Sequence, residues 1–237
     1  MWRQRMLILI FAGLFLLSCV SREVVPVDSQ AEISIETKYV ALTFDDGPRQ
    51  GTTDRLLDGL RQRGASVTFF LVGEQAELYP DLVKRMQAEG HQVGNHTWSH
   101  ERLEGIPVDQ ILTEIAKSET LLEEMLGGKN YWLRPPYGLI DPKAAEKVTV
   151  PMVKWSIDPR DWESRNTDKV VQAVLKDVKP NSIILLHDIY PTSVDAALKI
   201  IDELQTKGYL FVTVEELLRL NGVTPEAGVL YRSGTGA

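Results

Sequence analysis

The feature that most constrains this chain is a regular alternation of strand-like and helix-like segments between residues 38 and 220. Tyr39-Val40-Ala41-Leu42-Thr43-Phe44 is a β-prone run closed by Asp45-Asp46-Gly47-Pro48, a loop signal. Further strands are expected at 67–72, 92–94, 131–133, 152–157, 182–186 and 209–213. Helices are expected from Thr52 or Thr53, as cap, to Arg63, then at 81–88, 108–126, 142–148, 168–178, 194–207 and 214–220. The longest keeps Ile111, Leu112, Ile115, Leu122 and Leu126 on one side and ends at Gly127-Gly128. Ser182 to Leu186 reads as a strand buried on both faces. Strand followed by helix, about seven times over, implies a parallel sheet covered by helices. The pattern leaves open whether that sheet closes into a barrel or stays open.

The chain has 237 residues, enough for one full hydrophobic core. With 43% hydrophobic and 25% charged residues, disorder over most of the length is excluded. A net charge of −7 argues against a nucleic-acid partner, which would need a surplus of Lys and Arg. Residues 1–18 read as a signal peptide: Arg3 and Arg5 precede the apolar run Met6 to Leu17. That run falls short of the roughly twenty residues of a membrane span. Leu16-Leu17-Ser18-Cys19 resembles a bacterial lipobox, and Cys19 is the sole cysteine. The expectation is export, with Cys19 as a lipid anchor on the outer face of the bacterial cell membrane; a signal cleaved nearby, giving a secreted protein, and an uncleaved anchor are the alternatives. Residues 19–37 read as a tether, 38–220 as the catalytic domain and 221–237 as a flexible tail.

Chemistry-bearing residues collect at strand ends. Asp45 and Asp46, His96, Arg134, Asp158 with Asp161, and His187 all follow the C-terminal ends of expected strands. In barrels and open α/β sheets alike, active sites assemble on that rim. His96-Thr97-Trp98-Ser99-His100 spaces two imidazoles four apart, within reach of one metal ion on a helical turn. Alone, such a pair is common on solvated faces, and adjacent acids in a turn are usually turn formers. Together, two histidines and one carboxylate make a three-ligand site with a coordination position left for water. A second carboxylate beside it could take a proton from that water. Pro135-Pro136 fixes where Arg134 points. His91, beside Gly90, receives no role.

Five ordered motifs then resemble a known family. Thr43-Phe44-Asp45-Asp46-Gly47, His96-Thr97-Trp98-Ser99-His100, Arg134-Pro135-Pro136-Tyr137-Gly138, Asp158-Pro159-Arg160-Asp161-Trp162 and Leu185-Leu186-His187-Asp188 look like those of the polysaccharide deacetylases, carbohydrate esterase family 4 (NodB-homology domain). The resemblance spans about residues 38 to 220 and implies an α/β fold, a distorted (β/α)7 barrel. It implies that Asp46, His96 and His100 hold a metal, usually zinc, with cobalt as another possibility. It implies that Asp45 is the general base, held by Arg134, and that His187 is the general acid, paired with Asp161. The Tyr137 N–H would face the oxyanion, and Leu185 and Trp162 would line the pocket for the acetyl methyl. Asp158 receives a supporting role.

The resemblance implies a polysaccharide N-deacetylase, a hydrolase of non-peptide carbon–nitrogen bonds. From the expected location, the substrate is peptidoglycan N-acetylglucosamine or N-acetylmuramic acid. Chitin oligomers, an exopolysaccharide and O-acetylated xylan are the alternatives within the class. Partners are the polysaccharide, and the membrane through the lipid anchor; a monomer is expected. Outside the class, a non-catalytic glycan-binding lipoprotein would be expected to lack Asp45 or His187, and both are present. A structural envelope-layer protein is the other rival.

Overall fold

The computed structural model describes residues 37–237. The signal segment, Cys19 and all but the last residue of the tether lie outside the described residues. Within the described residues no helix is long and apolar enough to cross a membrane.

The elements run β1 (Lys38–Asp45), α1 (Thr53–Arg63), β2 (Thr68–Leu71), α2 (Gly73–Leu78), α3 (Pro80–Ala88), β3 (Gln92–Asn95) and α4 (Val108–Leu126). After a short 3-10 turn at Pro136–Gly138 come α5 (Pro142–Ala145), β4 (Met152–Val153), α6 (Asp161–Ser164), α7 (Thr167–Asp177) and β5 (Ile183–His187). The chain ends with α8 (Pro191–Thr206), β6 (Tyr209–Phe211), α9 (Val214–Leu220) and β7 (Leu230–Tyr231).

All strand pairs are parallel, in the order β3-β2-β1-β5, with β6 beside the start of β1 and β7 beside β4. Single bridges close the ring: Asn95 to Leu133, Leu133 to Met152, and Ile157 to Ile184. This is the (β/α) barrel, distorted because its far wall is made of bridges rather than full strands.

Alternation within buried strands sets what faces the interior. Val40, Leu42 and Phe44 of β1, Phe69 and Leu71 of β2, and Ile184 and Leu186 of β5 pack outward with Leu56, Leu57 and Leu60 of α1 and Ile200 and Ile201 of α8. The intervening residues turn inward. Ala41, Phe70 and Ile183 join Val153 and Tyr231 in a second cluster. Thr43, Asp45, Leu185 and His187 carry the same face up toward the rim. The register sets Asp45 directly opposite His187, and Leu71 opposite Asn95, the residue before His96.

Several expectations need correction. Residues 131–133 form no strand, because only Leu133 makes bridges. The strand expected over 152–157 breaks after Val153. There the Val153 and Lys154 carbonyls accept hydrogen bonds from the Arg134 side chain, so the backbone bends to serve a buried guanidinium. Helix α2 escaped the reading because only Gly73 and Ala76 are buried on it, too few to mark an apolar stripe. Thr52 does sit at the N-cap position of α1, but its hydroxyl donates back to the Arg49 carbonyl instead of capping. The segment 221–237 is not a loose tail. It supplies β7, the Gly234 N–H donates to the Asn181 carbonyl, and Tyr231 is buried in the second cluster.

That last correction can be measured. Tyr231→Ala removes a buried ring whose hydroxyl accepts the Glu226 N–H, and is expected to cost about 3 kcal/mol in urea unfolding. Leu210→Ala, at a half-exposed position, is expected to stay within about 0.5 kcal/mol. Equal, small effects at both positions would mean that the tail contributes nothing to the core.

Candidate active site

The site is built around an arginine inside the barrel. Arg134 follows the bridge at Leu133 and is fully buried. Its Nη1 donates to Asp45 Oδ1 at 2.7 Å and to Thr43 Oγ1 at 2.8 Å, and its Nη2 to the Lys154 carbonyl at 2.9 Å. The Phe70 ring covers the guanidinium at 4.1 Å. Burial holds the Arg134 pKa below its ordinary value, and the charge of Asp45 opposes that pull. Asp45 is thereby fixed at the end of β1 by a buried ion pair whose carboxylate reaches the cavity wall.

Asp46 begins the loop after β1 and has a left-handed backbone, φ 73°. Its Oδ1 lies 3.3 Å from His100 Nε2 and 3.6 Å from His96 Nε2. That oxygen is buried and has no hydrogen-bond partner among the described residues. His96 Nδ1 lies 2.6 Å from the Arg134 carbonyl, which can only accept, so Nδ1 carries a proton and Nε2 is the nitrogen turned toward the carboxylates, 3.6 Å from both Asp46 Oδ1 and Asp45 Oδ2. Burial, with His96 adding to it, lowers the His100 pKa and favours a neutral ring there. An unpartnered carboxylate oxygen facing two imidazole nitrogens fits a divalent metal. One ligand atom from each residue lies within 4.8 Å of the others, and the three form a possible metal site.

Across the mouth, Asp161 is fully buried at the start of α6, after Arg160 in a left-handed conformation. Its carboxylate accepts two hydrogen bonds from His187 at 2.8 Å, one from the backbone N–H and one from ring Nδ1. Burial pulls the His187 pKa down. The Asp161 hydrogen bond and charge, helped by Asp45 and Asp46, outweigh it and raise the pKa to about 9. A protonated imidazole at neutral pH is a proton donor.

These groups open on a cavity of about 360 Å³ lined by Asp45, Asp46, His96, His100, His187 and Tyr137, with an apolar side of Leu185 and Trp162. Of the described residues that the sequence singled out for the site, nine line this cavity, and Arg134 and Asp161 stand directly behind it, bonded to Asp45 and His187. Trp155 and Tyr190 also line it and were missed. Tyr190 lies three residues past His187 in the same loop, a placement that could have drawn attention to it. Asp158 is among the nine, and its Oδ1 accepts the Arg160 N–H that precedes Asp161. Tyr137 is left-handed, φ 60°, and its ring meets His100 edge-on at 5.0 Å.

Size alone does not mark function. A groove of about 630 Å³ opens at the N-terminal end of β3, lined by Gln87, His91, Lys129 and Glu215 among others. Burial lowers the His91 pKa to about 4, and its Nδ1 accepts the Val67 N–H, so that ring is a neutral structural group.

Fold and site together define a (β/α) barrel whose rim carries a possible three-residue metal site between an arginine-held carboxylate and an aspartate-paired histidine. A family model for polysaccharide deacetylase matches residues 33–151. The peptidoglycan-N-acetylmuramic acid deacetylase PdaC of Bacillus subtilis is 38% identical over 195 residues, covering 82% of this chain and 42% of that protein. A peptidoglycan-N-acetylglucosamine deacetylase of Bacillus cereus is 38% identical, covering 79% of this chain and 92% of its own. A family 4 acetyl xylan esterase from Clostridium thermocellum, solved in complex with a cobalt ion, superposes with a TM-score of 0.78 at 34% identity, covering 83% of this chain and 98% of that one. The chain belongs to the polysaccharide deacetylase family. It spans about two-fifths of the length of the first curated relatives that it matches.

Asp161→Asn removes the charge that outweighs burial at His187. The His187 pKa is expected to fall from about 9 to 6.5 or below, followed by NMR titration of its ring protons. The imidazole would then be mostly neutral at pH 7 or above, and the alkaline limb of kcat/KM is expected to move down in pH with it. A ring that still titrates near 9 would show that Asp161 does not set its charge.

Proposed function

We propose that this domain is a metal-dependent N-deacetylase of cell-wall polysaccharide, acting on peptidoglycan amino sugars. The observation that carries the reading is the division of labour between adjacent carboxylates. Arg134 holds Asp45 by Oδ1 and leaves its Oδ2 free to accept a proton, and Asp46 Oδ1, with no hydrogen-bond partner among the described residues, faces two imidazoles. Across the same cavity stands a histidine whose pKa is raised to about 9. Amide hydrolysis calls for all three, and a passive glycan-binding domain calls for none.

Asp46, His96 and His100 would hold the metal. When bound, a divalent ion lowers the pKa of water toward about 7 and polarises a carbonyl oxygen. Asp45, held rigid by Arg134, takes the proton from the attacking water. The Tyr137 backbone N–H hydrogen-bonds the oxygen that gains charge as the carbonyl carbon becomes tetrahedral. Leu185 and Trp162 receive the acetyl methyl. His187 gives its proton to the amide nitrogen as the carbon–nitrogen bond breaks, and acetate and the free amino sugar leave. Asp161 keeps Nδ1 engaged, so that the other ring nitrogen is the donor. Zinc is the metal proposed, because two imidazoles and one carboxylate suit it.

The substrate rests on the relatives, whose names specify peptidoglycan N-acetylmuramic acid or N-acetylglucosamine. Export and a lipid anchor at Cys19 rest on sequence alone. Mass spectrometry of the mature N-terminus decides the anchor, and an unacylated residue there would remove it.

Purified protein is expected to release acetate from peptidoglycan, to lose that activity to a chelator and to regain it with zinc. Asp46→Ala is expected to lose both metal and turnover. His187→Ala is expected to keep the metal and lose at least a hundredfold in kcat, the lower end of what a general acid contributes. Metal-dependent turnover retained in either variant contradicts the assignment. A panel with chitin oligomers and acetylated xylan separates the substrate classes.

A further inference from the structure

The roles above leave Asp188 without a task, although it directly follows the proposed acid. It lies in the turn after β5, and its carboxylate faces α1 and the loop after β1 rather than the cavity. It is 1% exposed. Its Oδ2 accepts a hydrogen bond from the hydroxyl of Thr53, the first residue of α1. The Thr53 hydroxyl oxygen in turn accepts the Arg49 N–H at 2.8 Å. The carboxylate also lies against Gly47, where any Cβ would collide with both of its oxygens. Arg49 Nη1 donates to the Ile189 carbonyl at 3.3 Å. Together these contacts tie residues 47–49 to residues 188–189.

Asp46 directly precedes the segment so tied. Aspartate takes a left-handed backbone more readily than most residues with a Cβ, but still at a cost relative to the ordinary regions, so the surroundings decide whether it stays there. The Gly47 carbonyl accepts the Val72 N–H on one side of the loop, and Asp188 with Thr53 clamps the other. An apolar side chain could fill the space behind the loop without the cost of burying a carboxylate. It could not bond Thr53. Asp188 Oδ1 has no partner among the described residues, so the group is kept at that site despite incomplete satisfaction.

We propose that Asp188 is a positioning residue for the metal-binding loop: through Thr53 and the bare Cα of Gly47 it holds Asp46 in the left-handed conformation that presents its carboxylate to His96 and His100. The proposal rests on the metal-site reading above. It also explains why a carboxylate follows His187 directly: one turn of chain serves the proton donor on its inner face and the metal ligand on its outer face.

The test compares Asp188→Ala, Asp188→Asn and Thr53→Val in the full chain. Cobalt(II) binding is followed by visible absorption, steady-state rates on peptidoglycan give kcat and KM, and circular dichroism reports folding. Asp188→Ala and Thr53→Val are each expected to weaken cobalt binding at least tenfold and to lower kcat similarly, with KM within twofold of wild type. Asp188→Asn keeps an acceptor for Thr53 and is expected to stay within threefold on both. A folded Asp188→Ala or Thr53→Val with cobalt affinity within twofold of wild type overturns the proposal, whatever its melting temperature. If Asp188→Ala does not fold, Thr53→Val decides. Wild-type protein that binds no cobalt overturns the metal site and this role together. Wild type that binds cobalt but releases no acetate overturns only the deacetylase reading.

Discussion

A guanidinium with no exposure to water organises the interior of this barrel. Arg134 needs acceptors on every side, because a buried charge without partners costs several kcal/mol. It finds them in Asp45 and Thr43 on β1 and in the carbonyls of Val153 and Lys154. Its own carbonyl accepts from the His96 ring. One residue therefore touches the proposed base, orients a proposed metal ligand and bends the strand that carries the far wall. Removing it would leave Asp45 buried and unpaired, a loss of about 3–5 kcal/mol on top of any effect on turnover.

The second constraint is strain. Asp46, Thr97, His100 and Tyr137 all have positive φ, and Asp46, His100 and Tyr137 line the same cavity. Each left-handed residue with a Cβ costs roughly 1–2 kcal/mol. Three of the eight described non-glycine residues with positive φ thus meet at one cavity, which fits groups held in place for chemistry at some expense of stability. The outer core cluster supplies what this rim spends: fully buried Leu, Ile and Phe from β1, β2, β5, α1 and α8 pack on the outer face of the sheet, away from the site.

The fold class and most of the site were legible in the sequence for different reasons. Strand–helix alternation is a local signal, and strands such as Ile183–His187 and helices such as Val108–Leu126 carry it clearly. Placing Asp45, His96 and His187 at strand ends then brought distant residues to one rim, because parallel strands end together. Closure was not legible. It depends on isolated bridges at Leu133, Met152 and Ile157, in a stretch whose backbone bends toward Arg134, and no periodicity records that. The last residues read as loose because Gly, Ser and Thr dominate them, yet β7 is held by pairing with β4 and by the burial of Tyr231. Trp155 and Tyr190 were missed because an aromatic at a loop position reads as core or surface until a cavity appears beside it.

The central claim is that two neighbouring carboxylates have opposite duties. Anomalous X-ray diffraction at the zinc edge, on protein loaded with that ion, tests it most directly. The account predicts one ion in contact with Asp46, His96 and His100, with Asp45 still on Arg134. An ion held by Asp45 instead, or none at this rim, would contradict it.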